Sequence, residues 1–300
     1  MGAARVAVVT SAAGIAYDQD LPLIVDALCA DGSAAEAVTW DAPSVDWGGF
    51  DLAVIRSAWD YAERHAEFLA WADRADRATR LWNPPPVLRW NSDKRYLPEL
   101  AGRGVAVVPT TVIDPGGRCD EADFDLPTGV VVKPAVSAAA RDTAWYEPGR
   151  HADAVRHARM LLDGGRSAVV QPYLPLVEEG ERALVFLSTG DGLAFSHAIR
   201  KQPVLTEPHV IDNFRDAHPG VVPHEPTGAE IRTALDALAA VPSPGALLYA
   251  RVDLALDDSR APVAMELELI EPNLFLGSGP GALERFTAAV AAGRKAATGA

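Results

Sequence analysis

Cysteine is scarce in this 300-residue chain, which contains two, and they are not at a spacing typical of a metal site. Because Cys29 and Cys119 also lie far apart, we expect a reduced, cytoplasmic protein rather than a disulfide framework. Long apolar runs are missing too. The N-terminal run at residues 6–9 is too short for a signal peptide, and no stretch approaches the length of a membrane span. We therefore expect no membrane partner.

An excess of positive charge is also missing. Lys and Arg number 27 against 41 Asp and Glu, so the formal net charge is −14. Nucleic acid and anionic membranes are poor partners for such a chain, because a phosphate backbone needs a basic footprint. A local basic pocket can still bind a small anion. The apolar fraction of 49% and the charged fraction of 23% are typical of a globular protein with one large or two small domains.

Strand-like and helix-like patterns alternate in the first part of the chain. The predicted elements are strands at 5–10, 37–40 and 52–56 and helices at 18–30 and 63–79. This alternation favours a small parallel sheet with flanking helices. Three prolines at 84–86 then indicate a boundary. We therefore predict an N-terminal βαβ module over residues 1–88.

The rest of the chain has a different pattern. Two strands, at 130–134 and 168–172, each end in a proline, and a hairpin is predicted within 182–200. Residues 203–226 have no clear period, and we interpret them as a long functional loop. The predicted lobes are a central, lid-like one over residues 89–170 and a C-terminal one with the metal site over residues 171–300.

The most informative feature is an acidic cluster on two strand-like runs near the end of the chain. Side chains two positions apart on a strand share a face. On the first run Arg251 therefore lies beside Asp253, and on the second Glu271 lies beside Asn273. Carboxylate and amide oxygens are ligands for Mg²⁺, which is usually shared with substrate phosphates. The arginine suits the stabilisation of a transferring phosphoryl group.

A solvated acidic face is the alternative interpretation of this cluster. It is disfavoured because Glu271 is in phase with Leu267 and Leu269 and should be partly buried, where a carboxylate ordinarily has a partner. Glu268 is out of phase with Glu271 on an ideal strand. We expect Glu268 to support the metal ligands from behind, unless Pro272 or a bulge changes the register.

Two lysines stand where phosphate chemistry would need them. Lys94 lies in the first turn of a predicted helix, and Lys133 ends a strand and is followed by proline. A lysine on a rigid strand end is a point charge with a defined position. An isolated lysine is ordinarily only a solvated charge, so the argument depends on the order of all the motifs together.

That order resembles the ATP-grasp superfamily of ligases over most of the chain. The resemblance implies an α/β (α+β) fold, in which a pre-ATP-grasp module precedes a two-lobed ATP-grasp domain, and it implies ATP and Mg²⁺ as cofactors. By this likeness Asp253, Glu271 and Asn273 bind two Mg²⁺ ions, and Arg251 contacts the transferred phosphoryl group. The ATP-binding residues that it implies are Lys94, Lys133, Gln171, Tyr173, Leu174 and Glu181.

The chain departs from the superfamily in two places. The loop at residues 137–143 contains no glycine, whereas this phosphate loop is usually glycine-rich in the family. Because alanine restricts positive φ, the mobility of this loop stays open, and we expect Ser137 or Arg141 to supply side-chain contacts to ATP. Gln171 stands where a glutamate is common.

Three stretches, at 56–61, 180–186 and 195–201, narrow the resemblance to the cyclo-ligases that close the ring of cycloserine from O-ureido-serine. The first follows a buried strand at its carboxyl end, where α/β sheets bind ligands. The residues assigned to substrate are Ser57, Asp60, Tyr61 and His197, and those assigned to catalysis are Arg200, Lys201 and Arg251. A packed Trp–Tyr turn, a structural histidine and a solvated strand end remain as alternatives.

The resemblance implies an enzyme that activates the carboxylate of O-ureido-D-serine as an acylphosphate and closes the ring to D-cycloserine. ADP, phosphate, carbon dioxide and ammonia would be released. An intermolecular amino-acid or peptide ligase is the alternative of the same chemistry. A non-catalytic nucleotide-binding regulator is the alternative of another class. The preference for a D or an L substrate and the formation of a homo-oligomer stay open.

Overall fold

A computed structural model describes residues 3–213, 216, 218–243 and 247–297. The strands, in chain order, are β1 (Arg5–Thr10), β2 (Ala34–Thr39), β3 (Leu52–Ser57), β4 (Arg80–Trp82), β5 (Thr111–Ile113), β6 (Val130–Pro134), β7 (Ala144–Tyr146), β8 (Ala168–Pro172), β9 (Glu181–Ser188), β10 (Leu193–Lys201), β11 (Val222–His224), β12 (Tyr249–Leu256) and β13 (Pro262–Glu268). The helices are α1 (Ala12–Tyr17), α2 (Asp20–Ala30), α3 (His65–Ala78), α4 (Pro85–Asn91), α5 (Tyr96–Gly102), α6 (His151–Asp163), α7 (Gly228–Ala239) and α8 (Ala282–Ala297). Among the described residues, no helix is both long enough and apolar enough to cross a membrane.

The N-terminal module is a parallel sheet with the strand order β2-β1-β3-β4. Strands β1 and β3 are apolar and buried along almost their whole length, as expected of a parallel sheet that is covered on both faces. Helix α2 covers one face through Leu21 and Ile24. Helix α3 covers the other through Phe68 and Trp71. The parallel βαβ arrangement predicted from the sequence is confirmed.

Two antiparallel sheets follow. The central sheet has the order β5-β8-β6-β7 and shares an apolar core with α6. The C-terminal sheet has the order β11-β10-β9-β12-β13. Helices α5 and α7 pack on one of its faces, and α8 packs on the other, next to strand β1 of the N-terminal module. The C-terminal sheet therefore lies between helices α5 and α7 on one side and helix α8 with the N-terminal module on the other.

The three sheets fall within the three predicted segments, but the elements at the boundaries differ from the prediction. Pro85 and Pro86 begin α4 rather than stopping the chain, because proline suits the first turn of a helix. Helices α4 and α5 pack against the C-terminal sheet. Strand β8 runs to Pro172, across the predicted boundary at 170. We propose that the central lobe spans residues 111–172.

The predicted loop at 203–226 contains the short strand β11, which pairs with β10. His209 N donates to the Trp145 carbonyl oxygen at 2.8 Å, which ties the loop to the central sheet. Gln202 N donates to the Pro219 carbonyl oxygen at 2.8 Å. Phe214, Arg215 and Ala217 of this loop lie outside the described residues.

Candidate active site

A cavity of about 750 Å³ lies between the N-terminal module, the central lobe and the C-terminal lobe. Most of the site residues that the sequence suggested line it. They are Tyr61, Lys94, Lys133, Ser137, Arg141, Gln171, Tyr173, Leu174, Glu181, Lys201, Arg251, Glu268, Glu271 and Asn273. Asp253 lies behind the wall, bonded to Arg251. The fold therefore brings groups from three distant parts of the chain to one place.

Arg251 and Asp253 lie side by side on β12, as their spacing predicts. Arg251 donates to Asp253 from Nε at 2.8 Å and from Nη2 at 2.9 Å, and Lys201 Nζ lies 3.5 Å from Asp253 Oδ2. Burial raises the pKa of Asp253, but these two cations outweigh it and hold that pKa below its usual range. Asp253 is thus a buried anion that fixes the guanidinium of Arg251 in the cavity wall.

Strand β13 places two further glutamates on this wall. It pairs antiparallel with β12, so that Glu268 lies opposite Arg251 and Glu266 opposite Asp253. Arg251 contacts the carboxylate of Glu268. Leu267, between the two glutamates, packs in the core of the C-terminal lobe. Glu268 therefore faces the cavity directly, which differs from its expected position behind the metal ligands.

Strand β13 ends at Glu268, earlier than the sequence predicts. Leu269 still packs in the C-terminal core, whereas Ile270 joins the core of the N-terminal module. Glu271 then returns to the cavity. Two glutamates that are out of phase on an ideal strand thus face the same space, because the chain leaves the pleat between them.

Side chains from other elements hold the irregular segment that follows β13. Asn91 donates to the Leu267 carbonyl oxygen at 2.7 Å and accepts from Leu269 N at 2.8 Å. Arg56 donates to the Pro272 carbonyl oxygen at 2.6 Å. Buried backbone groups outside a regular strand need such partners. These bonds fix the segment that carries the cavity carboxylates.

The carboxylates on the wall lie close enough to raise one another's pKa. Burial, with Asp253 and Glu266 nearby, raises the pKa of Glu268 to about 7. Burial and the neighbouring Glu268 raise the pKa of Glu271 well above its usual range. Crowded oxygen ligands of this kind fit a divalent cation such as Mg²⁺.

Basic side chains are the present partners of these carboxylates. Arg251 contacts Glu268, and Lys94 Nζ lies 3.0 Å from Glu266. In the part of the chain that the structure describes, no three acidic or histidine side chains converge closely enough to hold a metal ion. Metal binding would therefore require these cations to exchange their carboxylate partners for phosphate.

The two predicted phosphate lysines both reach the cavity. Lys94 lies in the turn before α5 rather than in its first turn, and its Nζ donates to the Ser137 carbonyl oxygen at 3.0 Å. Lys133 lies on β6 and is 8% exposed. Burial lowers the pKa of the Lys133 amine, so an anionic ligand would stabilise its charged form.

We expect Lys133→Ala to weaken ATP binding by about 1.5–3 kcal/mol, the scale of hydrogen bonds to charged groups. The reason is that the substitution removes a cation that the strand end holds in the cavity wall. Isothermal titration calorimetry would measure the change. Arg118→Ala is a matched control, because the Arg118 side chain is 86% exposed in the same lobe. Equal ATP affinity in Lys133→Ala and the wild type would remove Lys133 from the site.

The glycine-free loop after β6 adopts left-handed backbone at Ala139, Ala140 and Asp142, with φ of 52°, 53° and 51°. This conformation costs a non-glycine residue about 1–2 kcal/mol. The loop has stabilising contacts in return: Arg141 pairs with Glu63, and Asp142 N donates to Asn213 Oδ1 at 2.8 Å. The loop is thus tied to the N-terminal module and to the C-terminal lobe.

The wall between the central and C-terminal lobes carries Gln171, Tyr173 and Glu181. Gln171 Nε2 donates to Thr110 Oγ1 at 2.8 Å. The Tyr173 ring stacks on Trp145, with centroids 4.2 Å apart and planes 17° apart. Glu181 follows at the start of β9, 3.0 Å from Lys201 Nζ.

Two residues assigned to substrate, Ser57 and Asp60, are not brought to the cavity. Ser57 Oγ lies 2.8 Å from Thr10 Oγ1 and ties β3 to β1. Asp60 accepts from Trp40 Nε1 at 2.8 Å. The packed turn, which the sequence left as an alternative, describes both residues, whereas Tyr61 and its neighbour Trp59 do line the cavity.

His197 and Arg200 also lie outside the cavity lining. His197 is buried, its Nε2 donates to the Leu274 carbonyl oxygen at 2.8 Å, and burial lowers its pKa. His197 therefore fits the alternative left open by the sequence, in which it is a structural histidine. Arg200 is exposed and alternates with the buried Lys201 along β10, so only the lysine faces the site.

Sequence reasoning missed Glu266, Trp59 and His218, all of which line the cavity. The position of Glu266 could have been predicted, because it lies in phase with Glu268 on the same strand. Trp59 lies within the stretch at 56–61, which resembles the cyclo-ligases. His218 lies in the loop after β10, where no periodicity indicates which side chains turn inward.

Comparison with known proteins shows which family the chain resembles. Residues 6–83 match a family model described as the N-terminal domain of D-cycloserine synthetase DcsG. The cycloserine biosynthesis protein DcsG of Streptomyces lavendulae is 36% identical over 296 residues, covering 95% of this chain and 97% of that protein. A crystal structure of D-cycloserine synthetase DcsG superposes with a TM-score of 0.85 at 34% identity, covering 97% of this chain and 99% of the other.

More distant structures share the fold. A D-alanine–D-alanine ligase of Bacillus anthracis complexed with ATP has a TM-score of 0.68 at 14% identity, covering 99% of this chain and 97% of the other. A RimK-domain ATP-grasp protein of Sphaerobacter thermophilus has a TM-score of 0.64 at 17% identity, covering 96% and 98%. The chain belongs to the DcsG family of D-cycloserine synthetases and is an ATP-dependent ligase with the ATP-grasp fold.

Proposed function

We propose that this ligase activates the carboxylate of O-ureido-D-serine with ATP and closes the ring to D-cycloserine. ATP would transfer its terminal phosphoryl group to the carboxylate, giving an acylphosphate and ADP. The aminooxy nitrogen of the ureido group then attacks the acyl carbon and phosphate leaves. Addition of water to the carbamoyl group releases carbon dioxide and ammonia.

The observation that supports this proposal best is the convergence of three cations, Lys94, Lys133 and Arg251, with the carboxylates of β13 on one cavity. Phosphoryl transfer needs mainly positioning and charge neutralisation, and this wall supplies both. The two lysines would bind the ATP phosphates, and Arg251 would face the transferred group.

The other groups have matching roles in the proposal. Glu268, Glu271 and Asn273, with Asp253 behind them, would hold Mg²⁺, which neutralises charge on the phosphates when bound. The segment from Gln171 to Leu174 would receive the adenine, and Glu181 would lie near the ribose. The loop at 137–143 would cover the acylphosphate and exclude water. The substrate would lie between Arg251, Lys201 and Tyr61.

The test is an assay of ADP release with O-ureido-D-serine as the sole amino acid, compared with its L form and with ordinary amino acids. We expect ADP release without a second amine. Mass spectrometry should then show a cyclic product that has lost the carbamoyl group. If ADP forms only when a second amino acid is added, and the product is a linear amide, the enzyme is an intermolecular ligase and the proposal is wrong.

A further inference from the structure

Ring closure requires a proton acceptor. In the proposed reaction, on which this inference rests, the attacking nitrogen carries a hydrogen that must leave as the C–N bond forms. A positioned base contributes about 10²–10⁴-fold to such a step. A suitable base must reach the cavity and must keep a lone pair that no cation already occupies.

The carboxylates of the cavity do not meet this condition. Five of them are in ion pairs, which are Glu63–Arg141, Asp142–Arg166, Glu181–Lys201, Glu266–Lys94 and Glu268–Arg251. Glu271, the other cavity carboxylate in the described ranges, is a proposed metal ligand. A carboxylate that is paired with a cation directs its lone pairs at that cation, so it is not free to accept the proton.

His218 meets the condition. It lines the cavity, and its imidazole packs edge-on against Phe275, with centroids 5.0 Å apart and an interplanar angle of 81°. The guanidinium of Arg251 lies 5.5 Å from the centre of the same Phe275 ring. Nδ1 of His218 is buried and has no hydrogen-bond partner among the described residues. A buried polar atom without a partner is costly, and a ligand that bonds to this ring would remove that cost.

The charges around His218 keep its ring neutral. Burial, followed by the cations Arg251 and Lys201, lowers the pKa of His218 to about 3, whereas Asp253 acts in the opposite direction. A neutral imidazole retains a lone pair on one nitrogen. In the proposed reaction Arg251 faces the transferred phosphoryl group, whose negative charge offsets the effect of this cation on the ring.

We propose that His218 is the base of the ring-closing step. The nitrogen lone pair forms the C–N bond, the bond between the acyl carbon and the phosphate oxygen breaks, and phosphate leaves with that electron pair. The proton of the attacking nitrogen passes to the lone pair of the His218 imidazole. His218 would therefore act after the phosphoryl transfer and not in it.

The test separates ADP release from ring closure in His218→Ala and His218→Asn. Both variants should bind ATP with wild-type affinity by calorimetry and still release ADP, because acylphosphate formation does not need the base. The cyclic product per ADP, measured by mass spectrometry, should fall by about 10²-fold or more, since water then consumes the acylphosphate. Added imidazole should restore part of the product in His218→Ala. His209→Asn, on the same loop but outside the cavity lining, is the matched control.

The outcomes distinguish the two proposals. A wild-type ratio of product to ADP in the His218 variants would overturn the role of His218 and leave the proposed function standing. Equal loss of ADP release and ring closure, in variants that bind ATP normally, would also overturn it, because His218 would then act in the phosphoryl transfer. A wild-type enzyme that releases ADP but forms no cyclic product would overturn the proposed function, and the role of His218 with it.

Discussion

Glu271→Gln is expected to lower ATP turnover with substrate by at least about 100-fold, the loss that follows removal of one group stabilising transition-state charge. The reason is that glutamine keeps the size of the side chain but removes the charge that would hold Mg²⁺. Steady-state ADP release would measure the effect. Glu284→Gln, on the exposed surface of α8, is the matched control. Near wild-type turnover in Glu271→Gln would contradict the metal assignment.

The same variant should not lose stability in the absence of ligands. The pKa of Glu271 is raised by burial and by Glu268, so the folded protein holds this proton more tightly than the unfolded chain does. Stability therefore falls as the pH rises above the ordinary value of 4.5, and Glu268, with a pKa of about 7, adds to the fall up to that pH. Thermal unfolding of Glu271→Gln should depend less on pH across this window than that of the wild type. A steeper dependence would contradict the raised pKa.

Arg251→Met should instead lower both activity and stability. Arg251 and Asp253 have side chains only 1% and 2% exposed, so the substitution leaves a buried carboxylate with one partner fewer. Breaking a buried pair in this way costs about 3–5 kcal/mol. We expect the lower end, because Lys201 remains 3.5 Å from Asp253. Urea unfolding would measure the change.

A second substitution tests that explanation. Arg251→Met combined with Asp253→Asn removes the unpaired charge and should recover part of the lost stability, while ATP turnover stays low. The free energies of unfolding would instead simply add if the double variant were less stable than Arg251→Met by as much as Asp253→Asn alone destabilises the wild type. In that case the two residues do not form the coupled pair described above.

The local sequence pattern was sufficient to predict the N-terminal module and the positions of the charged side chains on β12. The prediction of strand β1 and of a shared face for Arg251 and Asp253 depends on apolar runs and on side-chain alternation, which are properties of adjacent residues. The order of the motifs, and not the local pattern, predicted that Lys133 reaches the site, since an isolated lysine is ordinarily only a solvated charge. The sequence did not determine where β13 ends, since that depends on bonds from Asn91 and Arg56, which lie far away in the chain.

The alternation of apolar patterns along the chain predicted the parallel N-terminal sheet, and the resemblance of the ordered motifs to the ATP-grasp superfamily indicated the family of the ligase. The set of side chains that share the cavity follows from the folded chain alone. The fold turned Glu268 and Glu271 to the same side, left Ser57, Asp60, His197 and Arg200 outside, and brought His218 inside from a loop without periodicity. The physical reason is that alternation along a strand is set locally, whereas a break in a strand and the path of a loop are set by partners distant in sequence.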